Sequence, residues 1–308
     1  ILVQILTYAI AFAGLSLSIR YNRRLNLSGA GFLALGAYGS AVLDNDMPTL
    51  ISLVVTLIAA AVIAAFFAAL TARMEMIYYV QISLLITAAA AEIISLASRW
   101  TQGNQGMSVS GYFSAYAIFG VPGSVLLVVV LAVASLLLVT WLGSSGTGVR
   151  ALLTSRDRRL SESLGLRSRW QFIRIEAVSG TLLALSGALT AHTSGFISPD
   201  QYTVNLSIMM LAMVVLSGGW TPVGLALGAV IFVVVPVLVG SLNNLPQLIF
   251  GAVLIVVAMF APSGVEGWLS AVYRGIGERL SRSRPAPADI RGPMPASSVT
   301  VQGMRHDK

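Results

Sequence analysis

The side chains available for covalent chemistry are few. The chain has no cysteine, one lysine (Lys308) and two histidines, His192 and His306. A disulfide, a thiolate metal site and a cysteine nucleophile are therefore excluded. A lone C-terminal lysine cannot complete a Walker A phosphate loop, and the two histidines cannot form an H-E-x-x-H zinc site. No catalytic residue, metal site or bound cofactor is expected. Energy for any pumping must come from an ion gradient or from another subunit. What remains are polar groups in or beside long apolar stretches: Asn26, Ser28, Gln81, Thr87, Glu92, Asn104 and Glu176. Polar side chains in a membrane interior are costly to bury and by default mark a pathway, so the chemistry they suggest is the passage of a solute. Glu92 has two readings, a pathway carboxylate or an ion-pair partner of Arg99 two turns on. Glu176, near the inner end of its span, is expected to face Arg169, Arg174 and the lipid head groups, as a structural residue.

These groups need a scaffold, and composition restricts which kind. Of 308 residues, 56% are hydrophobic and 10% charged, against roughly 25% charged in soluble domains. Stretches of about 20 apolar residues, enough to cross a bilayer core of about 30 Å, recur along the chain. They are placed at about 1–19, 25–43, 49–72, 77–98, 121–142, 170–191, 206–219, 223–240 and 247–262. The seventh is short enough to suggest a tilted, broken or protein-buried helix. Segment 107–119 is read as interfacial or re-entrant. The first stretch lacks a basic leader and a small-residue cleavage site, so it is read as a retained helix.

With about nine spans and the N-terminus outside, every Lys and Arg except Arg99 falls on one side, which is the bias that sets membrane orientation. The fold expected is thus an all-α, polytopic integral membrane protein of about nine transmembrane helices, with its C-terminus cytoplasmic. Residues 1–262 form the membrane domain, with a basic cytoplasmic loop at about 143–169. Residues 263–308 form a basic, largely disordered tail. The net charge of +7 is accounted for by these loops and the tail, and nucleic-acid binding is not expected. Small residues line up as helix-packing faces: Ala30, Ala34, Ala37 and Ala41 with Gly36 and Ser40 alongside, then Gly180, Ala184 and Ala188, then Gly224 and Gly228.

In the 143–169 loop, Thr154 or Ser155 is suited to cap a short helix. Leu153, Asp157, Leu160 and Leu164 would then share one face, and Gly165 would end it. Such a helix either lies on anionic lipid or docks a cytosolic protein.

The loop runs Gly148-Val149-Arg150-Ala151-Leu152-Leu153-Thr154-Ser155-Arg156-Asp157, then Glu162-Ser163-Leu164-Gly165-Leu166. It resembles the cytoplasmic coupling loop of the branched-chain amino-acid permease family of ABC importers, and in particular its LivM-type subunits. Further similar blocks are Leu27-Ser28-Gly29-Ala30-Gly31-Phe32 with Gly36-Ala37-Tyr38, Tyr78-Tyr79-Val80 through Ala91-Glu92-Ile93, and Gly103-Asn104-Gln105-Gly106. Others are Ser186-Gly187-Ala188-Leu189, Gly195-Phe196-Ile197-Ser198-Pro199 and Met213-Val214-Val215-Leu216. The likeness extends over roughly 20–240. Arg158 and Arg159 make the loop more basic than is usual for the family.

The resemblance implies a permease subunit in a bacterial cytoplasmic (inner) membrane. It would pair with a second, homologous permease, two cytosolic ATPase subunits that carry ATP and magnesium, and a periplasmic or lipid-anchored solute-binding protein. Thr154, Asp157, Leu160, Glu162, Leu164 and Gly165 would form the ATPase-coupling contact. Asn26, Ser28, Gln81, Thr87, Glu92 and Asn104 are the translocation-pathway candidates. The solute would be a branched-chain amino acid or a related small solute. A same-fold permease for a sugar, nucleoside, urea or amide, an ion-coupled secondary transporter and a membrane scaffold are the alternatives.

Overall fold

The computed structural model describes residues 1–44, 46–109, 117–118, 121–156, 167–218, 221–239 and 251, all within a unit spanning Ile1–Leu269. A second unit, Ser270–Lys308, lies outside the described residues, as does the boundary expected at 262. So does the ninth stretch at 247–262 except for its helical residue Gly251.

Helix α1 (Leu2–Leu17) runs into a π-helical turn, Ser18–Asn22. Next come α2 (Gly29–Leu43), α3 (Thr49–Thr71), α4 (Met76–Leu96) and the single turn α5 (Ser98–Thr101). After β1 (Met107–Ser108), β2 (Ala117–Ile118) and β3 (Val121–Pro122) follow α6 (Gly123–Ser144) and α7 (Gly146–Arg156). Then come α8 (Ser168–Ser194), β4 (Phe196–Ile197), α9 (Val204–Leu216) and α10 (Pro222–Val239). Among the described residues, 5 helices are long and apolar enough to cross a membrane: α1 with its π turn, α3, α4, α6 and α8. The helices α2 and α10 are apolar but shorter.

The core forms where side chains are smallest. Ala30, Ala34, Ala37 and Ala41 are all buried, and the backbones of α2 and α8 meet beside them. A Cβ on Gly36 would overlap the Ala184 carbonyl, and one on Gly187 would overlap the Leu33 carbonyl. Gly180 similarly admits Ala64 of α3 and the ring of Phe32. Most of α1 and α8 is buried, whereas α3, α4 and α6 turn most of their surface outward. Tyr8 and Phe12 of α1 pack on Phe232 of α10.

The two ends of the bundle differ. At one end the α1 π turn, the end of α3, the start of α4, the end of α7 and the start of α8 meet around Arg23, Arg24, Arg73, Arg167 and Arg169. At the other, α4 leads through Arg99 and Trp100 into a tight loop, where β1 pairs antiparallel with β4, Met107 opposite Ile197. Gly106 has φ of 73°, and a Cβ there would come within 2.5 Å of the Ile197 carbonyl. Only glycine meets both demands. The hydrophobic pattern carried no sign of this two-residue ladder.

Two expectations about local structure are corrected. The second stretch, placed at 25–43, becomes helical only at Gly29. In the basic loop, Thr154 and Ser155 do not cap a helix start but lie in the last turns of α7. The Thr154 hydroxyl donates to the Ala151 carbonyl and Ser155 to Leu152, both at 2.8 Å. The start of α7 is instead held by Ser145, whose Oγ accepts from the Gly148 amide at 3.2 Å. Gly146 and Gly148 read as loop residues, which concealed the true cap. Asp157, Leu160, Glu162, Leu164 and Gly165 lie outside the described residues.

Candidate functional site

The chain between the π turn and α2 is the least regular part of the interior. With 15 residues, α2 rises only about 22 Å, short of a hydrocarbon core of about 30 Å. The gap is filled by non-helical residues 23–28, entered through Arg23 at φ 51°. Non-helical backbone is tolerated at membrane depth only where protein or water satisfies its polar groups. Here neighbouring helices supply the partners.

From α4, the Ser83 Oγ accepts the Leu27 amide at 3.0 Å and the Thr87 hydroxyl donates to the Leu27 carbonyl at 2.8 Å. From α9, the Ser207 Oγ accepts the Ala30 amide at 2.9 Å and lies 3.3 Å from the Thr87 hydroxyl. Gly31 allows this approach, because a Cβ there would sit 3.0 Å from the Thr87 Cα.

From α8 comes Glu176, 6% exposed and about 12 Å along the helix from its start. One carboxyl oxygen accepts from the Ser18 hydroxyl at 2.6 Å and from the Asn22 amide group at 2.8 Å. The other accepts from the Asn26 Nδ2 at 3.0 Å. The Tyr79 hydroxyl joins the same group. Asn26 Oδ1 in turn accepts from the Ser28 amide at 2.8 Å and its hydroxyl at 2.6 Å. A carboxyl so supplied with donors can stay in an apolar interior without a counter-charge in direct contact. The placement of Glu176 beside Arg169 and Arg174 is therefore corrected: Arg174 is exposed, and Arg169 donates instead to the Ala69 carbonyl at 3.3 Å.

The pathway candidates separate into three places. Asn26, Ser28 and Thr87 come together in this buried cluster. Gln81 and Glu92 share the outward face of α4 with Leu85, opposite the buried Tyr79, Ser83 and Thr87. Among the described residues Glu92 makes no ion pair with Arg99: α4 ends at Leu96, and the separate turn Ser98–Thr101 carries the arginine. Asn104 is exposed in the loop beyond α5. Sequence reasoning missed Ser18, Asn22, Tyr79, Ser83 and Ser207. A legible signal did exist, since Asn22 and Asn26 lie one helical turn apart where an apolar stretch gives way to another.

Beside the cluster is a cavity of about 20 Å³ lined by Asn26, Ser28, Tyr79, Ser83 and Glu176 among others. That is room for about one water. The arrangement has no nucleophile poised beside a base, and among the described residues no group of three or more His, Cys, Asp or Glu could hold a metal. What it resembles physically is the interrupted helix of a transporter, with unwound backbone turned into the protein interior.

Comparison with known proteins gives this arrangement a family. Residues 1–258 match the family described as branched-chain amino acid transport system / permease component. The chain belongs to that family, and it is a multi-pass membrane transport component rather than an enzyme. It is similar to the high-affinity branched-chain amino acid transport system permease protein LivM of Escherichia coli (strain K12), 29% identical over 109 residues. The same protein of Salmonella typhimurium is also 29% identical over 109 residues. In both cases the alignment covers 35% of this chain and 26% of the relative, about a quarter of its length. No solved structure matches the chain.

Proposed function

We propose that the chain is a permease subunit of an ATP-driven ABC importer for branched-chain amino acids or closely related small solutes. The family match over residues 1–258 is the observation that carries this reading. In it the chain spans a bacterial inner membrane about nine times with its arginine-rich end in the cytoplasm. It pairs with a second, homologous permease and receives solute from an external binding protein. Two cytosolic ATPases hold ATP and magnesium and dock on the loop that contains Asp157, Leu160, Glu162, Leu164 and Gly165. Solute then passes between the two permeases, past the face of α4 that bears Gln81 and Glu92.

That α4 face supports the pairing. It sets an amide and a carboxylate between the exposed Ile77, Leu85, Ile93 and Leu96. A charged group facing hydrocarbon is costly, so such a face is better matched to a partner or to water than to lipid. The same placement bears on ion coupling through Glu92, which would need that carboxylate inside the chain's own bundle rather than on its outward face.

The test is co-purification from native membranes of the intact chain and of a variant with Asp157→Ala and Gly165→Ala together. Two P-loop ATPases and a second permease should accompany only the intact loop. Recovery of the chain alone in both cases would sink the importer reading.

A further inference from the structure

The arginine-rich end contains a pocket beside the proposed coupling loop, lined in part by Thr154 and Ser155, whose arginines the proposed function does not use. Its volume is about 680 Å³, and Arg23, Arg24, Arg73, Arg167 and Arg169 line it, with Glu75 as the only acidic residue in its wall among the described residues. Two of the five arginines have structural tasks. The Arg24 guanidinium donates to the Thr71 carbonyl at 3.1 Å and lies 4.7 Å from the centre of the Phe172 ring. Arg169 donates to the Ala69 carbonyl, so both engage the C-terminal end of α3, where cations are favoured. Arg23, Arg73 and Arg167 have no side-chain partner among the described residues.

Membrane orientation explains why arginines lie on this side, but not why they share one concavity. Exposed Arg150 and Arg174 would serve orientation equally well and lie outside it. Gathering like charges from the π turn, the α3–α4 turn and the start of α8 raises a positive potential that a bound anion would relieve. The starts of α4 and α8, which have 21 and 27 residues, open at the same pocket, and neither has a side-chain cap. Their free amides and positive dipole ends add to the field. The remaining wall mixes polar Asn22, Thr154, Ser155 and Ser168 with apolar Met74, Met76 and Phe172. Just beyond it, Ile77 and Tyr78 on α4 and Trp170 on α8 are exposed at 67%, 57% and 54%. Charge within and hydrocarbon at the rim suit an amphiphile better than a small soluble anion.

We propose that this pocket holds the phosphate of an anionic phospholipid headgroup, with the acyl chains leaving along the start of α4. The orientation proposed above decides only which leaflet supplies the lipid.

The experiment uses the full chain in nanodiscs of phosphatidylcholine with phosphatidylglycerol, followed by quantification of the lipid kept after transfer to detergent. Four proteins are compared: wild type, Arg73→Gln with Arg167→Gln, Arg73→Lys with Arg167→Lys, and Arg150→Gln with Arg174→Gln. The last removes the same charge from outside the pocket. Wild type should retain phosphatidylglycerol in preference to phosphatidylcholine. The pocket glutamine pair should weaken retention by about 25-fold, from about fivefold per arginine. The lysine pair should restore part of it, which separates charge from folding, and the outside pair should leave it nearly unchanged. Equal losses from the two glutamine pairs, or no preference for the anionic lipid, would overturn the proposal. Displacement of the lipid by millimolar inorganic phosphate would assign the pocket to a free phosphate and overturn the lipid source.

Discussion

At the scale of single residues, Glu176 shows how a carboxyl can be kept within an apolar helix bundle. Its two oxygens receive Ser18, Asn22 and Asn26, three donors from the stretch that runs out of α1 toward α2. Removing the acceptor strands all three, and a buried donor left unpaired costs about 1–3 kcal/mol. Glu176→Ala should therefore lower unfolding stability by about 3 kcal/mol or more, with part of the loss recovered by water entering the adjoining cavity. Glu176→Gln keeps the shape and one acceptor oxygen but turns an NH2 toward other donors, so about half that loss is expected. Thermal unfolding in nanodiscs measures both. An alanine variant as stable as wild type would mean that the network is incidental and residues 23–28 are held by something else.

At the scale of elements, the contact between α2 and α8 is set by absence of side chains more than by their fit. In lipid no hydrophobic drive pulls helices together, so close backbone approach carries the association. Gly187→Val would place methyl groups against the Leu33 carbonyl, a backbone atom that cannot swing aside. A destabilisation of about 3 kcal/mol or more, the upper end for overpacking, is expected. Gly146→Ala, with nothing within 4 Å of the added Cβ, should be neutral or stabilising by a few tenths of a kcal/mol. Equal behaviour of the two variants in thermal unfolding would refute the close-packing argument. The Ala30–Ala41 and Gly180–Ala188 faces were legible in the sequence because small residues at helical spacing have a direct physical meaning. The non-helical stretch 25–28 was not, because Leu25 and Leu27 are apolar and the second span reads as helical from residue 25. Its irregularity depends on Ser83, Thr87 and Ser207, which lie far away in sequence and each look unremarkable alone. Likewise, Gln81, Thr87 and Glu92 read as one polar set on α4. Only the packing of the helix against α2 shows that Thr87 points inward while the other two point out.

At the scale of the whole molecule, the question is what covers the outward surface of the described bundle. Much of it is plain hydrocarbon: Val62 and Phe66 on α3 and Leu137 on α6 are about 60% exposed and suit lipid. The α4 face with Gln81 and Glu92 is different, since it interrupts an apolar surface with one amide and one carboxylate. If that face lines the passage between two permeases, water must reach it in the assembled complex. The absence of cysteine from the chain makes the point directly measurable, because an introduced thiol has no competitor in this subunit. In membranes containing the assembled transporter, Gln81→Cys and Glu92→Cys should react with a charged, membrane-impermeant thiol reagent. Val62→Cys and Leu137→Cys should not, since a thiol in hydrocarbon is neither ionised nor reachable by a charged reagent. A rate difference of at least about tenfold is expected, because thiolate is the reacting species. Adding the transported solute should slow the reaction at the α4 positions alone. If all four positions react equally slowly, α4 faces lipid or a dry interface. The pathway would then have to be sought inside the bundle, where Asn26, Ser28 and Thr87 surround the interrupted helix.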